Sequence, residues 1–180
     1  MEDHHRNDNG EEHARLLLDS YRKTTGRELL AVVPDEPLAE QLDEAPFVIL
    51  SHGTESDPVL NYGNRLALAL WETDRDTFTS MPSRLTAEPM LREGRERLLE
   101  QVRLHGYSDR YAGVRIALTG RRFRIENATV WNLTDAEGRY AGQAATFSGW
   151  TGLDEANHGI IDGKCLHPAN ERQSPRQKES

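Results

Sequence analysis

An α+β fold built on an antiparallel sheet is what this sequence predicts, and three observations predict it. Segments of alternating character follow one another at 111–118, 123–133 and 140–150. The breaks between them, Thr119-Gly120 and Asp135-Ala136-Glu137-Gly138, are turn-forming residues. They are too short for the crossover that parallel strands need, so the three segments form an antiparallel meander. Upstream of the meander the apolar spacing becomes helical, which supplies the α component.

Residues 1–10 are polar and read as a disordered N-terminus. A helix follows over 11–25, where Ala14, Leu17, Leu18 and Tyr21 share a stripe, acids favour its start and Gly26 suits its end. A connector punctuated by Pro34 and Pro37 completes the unit 11–45. The compact core begins at Pro46. Phe47-Val48-Ile49-Leu50 reads as a short buried strand, and 59–62 as a second beyond the loop at Asp57-Pro58. Asn64 is placed as the N-cap of a helix over 65–72 that buries Leu66, Leu70 and Trp71. A helical turn near 76–78 comes next. Thr86 is placed to cap a helix over 89–105, with Leu91, Leu98 and Val102 inward and Gly106 as its stop. The meander closes a core spanning 46–151. Residues 152–180 lack sustained periodicity and read as a mostly flexible tail, with a short ordered piece at Ile160-Ile161.

The chain has 180 residues, with 22 Lys+Arg against 30 Asp+Glu and a net charge of −8 at pH 7. An acidic balance argues against nonspecific nucleic-acid binding and against anionic membrane surfaces. The one cysteine, Cys165, allows no intramolecular disulfide, which suits a reducing compartment. No apolar run has the length of a signal peptide core or a membrane span. A cytoplasmic protein with neither nucleic acid nor membrane as partner is expected. The glycosylation-like triplets at Asn127 and Asn132 lie inside a predicted strand and are read as accidents.

Two strands, short helices, a longer helix and a three-stranded meander make the layout of PAS-type domains. The run from Ser51 to Asn64, SHGTESDPVLNYGN, resembles the opening of bacterial MEKHLA-domain proteins. So do the segments MPSRLTAEP from Met81, TVWNL from Thr129 and YAGQAATFS from Tyr140. The resemblance extends over roughly 11–151. It implies a PAS-like five-stranded antiparallel sheet, with short helices on one face and an N-terminal flanking helix. In plants the domain resembles the C-terminal module of class III homeodomain-leucine-zipper transcription factors. This sequence has no homeodomain and no basic zipper, and it lacks the string that names the family, so DNA binding is not implied. The resemblance transfers no catalytic residue; it implies a sensory or ligand-binding module, by analogy of fold.

Candidate ligand-binding residues centre on two amides. In the middle strand Phe123, Ile125, Thr129, Trp131 and Leu133 are assigned to one face, and Asn127 is the polar break in it. The register that buries Phe147 and Ala145 of the last strand sets Gln143 on the same side. Two amides facing an apolar cleft read the edge of a heteroaromatic ligand such as a flavin, or else bond each other, backbone or water. Trp131, Thr129, Tyr62 and Arg84 complete the set. Trp131 reads equally well as core, and Arg84 as one half of an ion pair.

Catalytic and metal sites find less support. Ser51 and His52 are neighbours on a strand and point to opposite faces, which disfavours a nucleophile pair. A cysteinyl-flavin adduct needs a thiol near the ring, and Cys165 lies in the tail. Haem would need an axial histidine inside the fold, where His105 at a helix end is the one candidate. Cys165, His158, His167 and His4-His5 match no compact zinc spacing. The expectation is therefore a non-enzymatic PAS-like sensory module without a metal, binding a small organic ligand of unknown identity. It would signal through a homodimer and a separate protein partner. The alternative is a ligand-free interaction or dimerisation domain, with a small-molecule enzyme as a further possibility.

Overall fold

A computed structural model describes residues 3–88, 92–153 and 160–161. The chain opens with helix α1 (Asp3–Thr25) and the short helix α2 (Leu38–Asp43). Strands β1 (Val48–His52) and β2 (Leu60–Gly63) follow, then helices α3 (Arg65–Leu70) and α4 (Arg75–Phe78). A 3-10 turn at Ser83–Thr86 and helix α5 (Arg92–His105) lead into β3 (Tyr107–Ile116) and β4 (Arg122–Thr134). The described chain ends with β5 (Tyr140–Phe147), β6 (Gly149–Gly152) and the two-residue β7 (Ile160–Ile161).

Every pairing in the sheet is antiparallel. β5 and β6 run along the same edge of β4, interrupted at Ser148, so the spatial order is β2-β1-β5/β6-β4-β3, with β7 added outside β6. That is the predicted five-position antiparallel sheet. Its inner face packs Val48, Phe123, Ile125, Ala128, Val130 and Phe147 against Trp71, Phe78 and Val102 of the helical side. Its outer face packs Ile49, Trp131, Leu133 and Ala144 under Ala14, Leu17 and Tyr21 of α1. The stripe read from the sequence is thus the buried stripe of α1, and it covers the sheet.

Local chemistry explains the boundaries. Gly26 (φ 70°) and Gly106 (φ 78°) end α1 and α5 in the left-handed conformation that glycine adopts without penalty. Asn64 caps α3 by accepting from Ala67 N, as predicted. Three expectations differ from the structure. The first helix begins at Asp3, so residues 3–10 are helical. The connector contains α2, whose first amides, Leu38 N and Ala39 N, donate to the Glu11 carboxylate at 3.1 and 2.8 Å. Thr86 donates to Ser83 O within the 3-10 turn at 2.6 Å instead of capping a helix. The tail outside Ile160–Ile161, with Cys165, His158 and His167, lies outside the described residues.

A crease crosses the sheet and changes which residues face inward. Between Ala128 and Ile125, β4 advances three positions while β3 advances two, from Tyr111 to Gly113. The extra residue falls at Asn127, whose φ is 52°. This is a β-bulge on β4. The next path breaks at the same level, since Phe147 and Trp150, three apart, both enter the inner core. Before the bulge odd-numbered residues of β4 face inward; after it even-numbered ones do.

Candidate functional site

On the inner face, between sheet and helices, aromatic rings of the chain pack against one another. Trp71 is fully buried at the end of α3 and meets Phe78, Phe123 and Phe147 at centroid distances of 5.9, 5.2 and 6.2 Å. Phe147 continues to Trp150 at 6.1 Å, near perpendicular. Edge-to-face contacts of this kind are favourable beyond the area they bury. Near β2 the packing depends on a glycine: a Cβ on Gly63 would meet the Phe78 ring at 2.5 Å.

A polar row crosses the sheet at the other end. Register places His52 opposite Gln143 and Gln143 opposite Asn132. These positions continue the inner-face pairs Leu50–Ala145 and Ala145–Val130. Gln143 Nε2 donates to Asn132 Oδ1 across 3.4 Å, a long bond that leaves both amides with spare capacity. His52 Nδ1 lies 2.8 Å from Gly53 O, which assigns the proton to Nδ1 and leaves Nε2 as an acceptor. Ser108, from β3, donates to Gln101 of α5 at 2.6 Å.

The six predicted ligand residues are not brought together. Asn127 is exposed in the bulge, because the inserted residue takes it off the face that the alternation assigns to it. Gln143 does face inward, and its amide partner is Asn132, which sequence reasoning missed. The signal was within reach: Asn132 faces Gln143 once the bulge is allowed for. Trp131 and Thr129 move to the outer face with the switch of parity. Trp131 is buried beneath Tyr21, edge-on at 5.0 Å. Tyr62 also belongs to the outer, α1-covered layer. Arg84 is exposed and bonds Asp57 at 3.1 Å, the ion-pair reading of that residue.

The outer layer is polar where α1 begins. Ser51 does not meet His52, in keeping with the opposed faces of strand neighbours. It lies 3.0 Å from His13 Nε2 of α1 and donates to Asn61 Oδ1 at 2.6 Å. The His13 ring stacks tilted on Tyr62 at 5.5 Å. Burial lowers the His13 pKa below the ordinary imidazole value. Burial likewise raises that of the Tyr62 phenol, whose hydroxyl is buried without a partner among the described residues. Farther along α1, Ser20 Oγ donates to Thr134 O and accepts from Thr134 N, both at 3.0 Å. An open groove of about 560 Å³ runs between α1 and the β4–β5 turn, lined in part by Glu12, Arg15, Asp19, Lys23 and Asp135. His105 is exposed at the end of α5. Among the described residues no group of His, Cys, Asp and Glu could hold a metal ion, and no helix is long and apolar enough to cross a membrane.

The MEKHLA domain family model matches residues 11–152. This chain belongs to the MEKHLA-domain family. Among solved structures, the domain is similar in fold to the PAS domain of a protein from Colwellia psychrerythraea, with a TM-score of 0.50 and 12% identity over 60% of this chain and 89% of that one. It is similar also to the light-state dimer of the fungal blue-light photoreceptor Vivid, with a TM-score of 0.51 and 13% identity, covering 74% and 90%. An RNA-binding light-oxygen-voltage receptor aligns with a TM-score of 0.53 and 16% identity over 67% of this chain, but only 36% of that larger chain. Identities this low carry the fold alone, and the fold is PAS-like. Comparison with curated proteins finds no match. In this MEKHLA domain α1 is the flanking helix and β1 to β6 are the PAS-like sheet.

Proposed function

We propose that this MEKHLA domain is a non-enzymatic signalling module that works through contacts made by its surface. The observation that carries this reading is the aromatic packing around Trp71, whose ring meets Phe78, Phe123 and Phe147 in the inner core. Rings in contact across the helical side and the sheet transmit strain between them, as close-packed interiors do. On this reading the chain pairs as a homodimer in the cytoplasm and hands its state to a separate protein. Native mass spectrometry with an absorption spectrum of the freshly purified chain tests it. The bare chain mass, doubled for a dimer, and no visible absorption band are expected. A bound organic mass overturns it.

A second reading is favoured by the Gln143–Asn132 pair. Its long hydrogen bond leaves donors and acceptors for a small polar or heteroaromatic ligand at the rim of the inner face, beside His52. A bound mass lost on Asn132→Leu and Gln143→Leu substitution would identify that site. Catalysis has no comparable support, since Ser51 is 2% exposed and its hydroxyl is already given to Asn61.

A further inference from the structure

Helix α1 carries a second pattern besides the apolar stripe it lays on the sheet. Glu12, Arg15, Asp19 and Lys23 follow one another at steps of three, four and four, so they share the face turned away from Ala14, Leu17 and Tyr21. All four are exposed, and they line the open groove of about 560 Å³ beside the β4–β5 turn. Their signs alternate along the helix. Other polar groups around them are already engaged. Glu11 holds the first amides of α2, His13 meets Ser51, and Arg22 pairs with Glu28 at 2.6 Å. Asp135 across the groove is held by Arg139 at 2.8 Å. The four alternating residues make no hydrogen bond or ion pair among the described residues, although Arg15 with Asp19 and Asp19 with Lys23 have the spacing for one.

We propose that this face of α1 docks on the same face of a second copy of the chain, the two helices running antiparallel about a two-fold axis. The charge order is what selects that occupant. Read backwards, the series minus, plus, minus, plus becomes its own complement. An antiparallel copy therefore sets Glu12 against the partner's Lys23 and Arg15 against the partner's Asp19. Symmetry repeats both contacts, which makes the interface isologous. The midpoints of the two pairings differ by half a residue, about 0.8 Å along the axis, well within the reach of these side chains. A parallel copy in register would oppose like charges at every step, and that repulsion excludes it. Leu16, half-buried, and Ala136 of the turn line the same groove and give the contact its apolar part. Exposed ion pairs are individually weak and screened by salt, so they fix partner and orientation more than affinity. The resulting dimer is a weak, salt-sensitive one. This inference rests on the homodimer proposed above and names its interface.

Sedimentation velocity of the full chain and of two variants tests the interface. Glu12→Lys with Asp19→Lys makes the face wholly cationic; Arg15→Glu with Lys23→Glu makes it wholly anionic. All four positions are exposed on the helix, and circular dichroism checks that the fold is kept. The wild type should dimerise, and more weakly as salt rises from about 0.05 to 0.5 M. Each variant alone should dimerise at least about tenfold more weakly, while an equimolar mixture should recover the wild-type affinity as a heterodimer. Variants that dimerise like the wild type overturn the α1 interface and leave the homodimer standing. A mixture that fails to recover overturns the interface too, and a wild type that stays monomeric overturns both it and the homodimer. Should a double variant fail to fold, the single reversals Glu12→Lys and Lys23→Glu take its place. Each should weaken the dimer, and the two combined in one chain should restore it; weakening that persists in the combined chain overturns the interface.

Discussion

Asn64 shows how one side chain joins two layers of the fold. It is fully buried; its Oδ1 accepts from Ile49 N and Ala67 N, while Nδ2 donates to Leu42 O and Phe47 O. Replacing it by Ala strands four backbone groups, so Asn64→Ala should destabilise by about 3 kcal/mol or more in denaturant unfolding. The opposite case is Asn127, whose left-handed φ of 52° is its distinguishing feature. There Asn127→Ala should cost about 1 kcal/mol and Asn127→Gly about nothing, read as unfolding midpoints. The sequence shows the capping role of Asn64 because a cap is local, its donor Ala67 N lying three residues on. It does not show the remaining bonds, which come from Ile49 of β1, from Phe47 just before it and from Leu42 of α2. Asn127 misleads for a related reason: strict alternation has no place for an inserted residue, and the bulge is fixed by the pairing with β3.

Among elements, α1 and the meander were the most readable, since each carries a long apolar pattern of one period. α2 was not, being six residues long and capped by Glu11 from another helix. The order of the strands followed from their short turns; the position of β1 between β2 and β5 rests on pairings that no spacing reveals. That pairing has a weak point at Gly142, where φ is 128° and an added Cβ would collide with the His52 carbonyl. Gly142→Ala should therefore separate β5 from β1 at its end, lowering the thermal midpoint more than a core Ala-to-Gly change would. Circular dichroism melts provide the comparison. In the candidate site, the inward position of Gln143 is legible in the sequence because Phe147 and Ala145 fix the phase of β5. Its partner Asn132 is not legible, because β4 changes phase at the crease.

For the whole molecule the decisive quantity is the volume taken up by Trp71. Trp71→Ala should cost about 3–5 kcal/mol by removing apolar surface and leaving a cavity bounded by Phe78, Phe123 and Phe147. If the rings are what fill the interior, the variant acquires room for a small apolar guest. Indole should then raise the melting temperature of Trp71→Ala and leave that of the wild type unchanged in a thermal shift assay. The two cores that Trp71 and Trp131 anchor lie on opposite sides of the same strand, and the bulge at Asn127 sets which side each part of β4 serves. Seen over evolutionary time, that makes β4 a reading frame. Loss of one residue between Ile125 and Thr129 would exchange Val130 for Trp131 and Asn132 for Leu133 between the two faces, whereas loss of two would preserve the phase. Relatives should therefore vary in this segment by even steps, or keep the bulge.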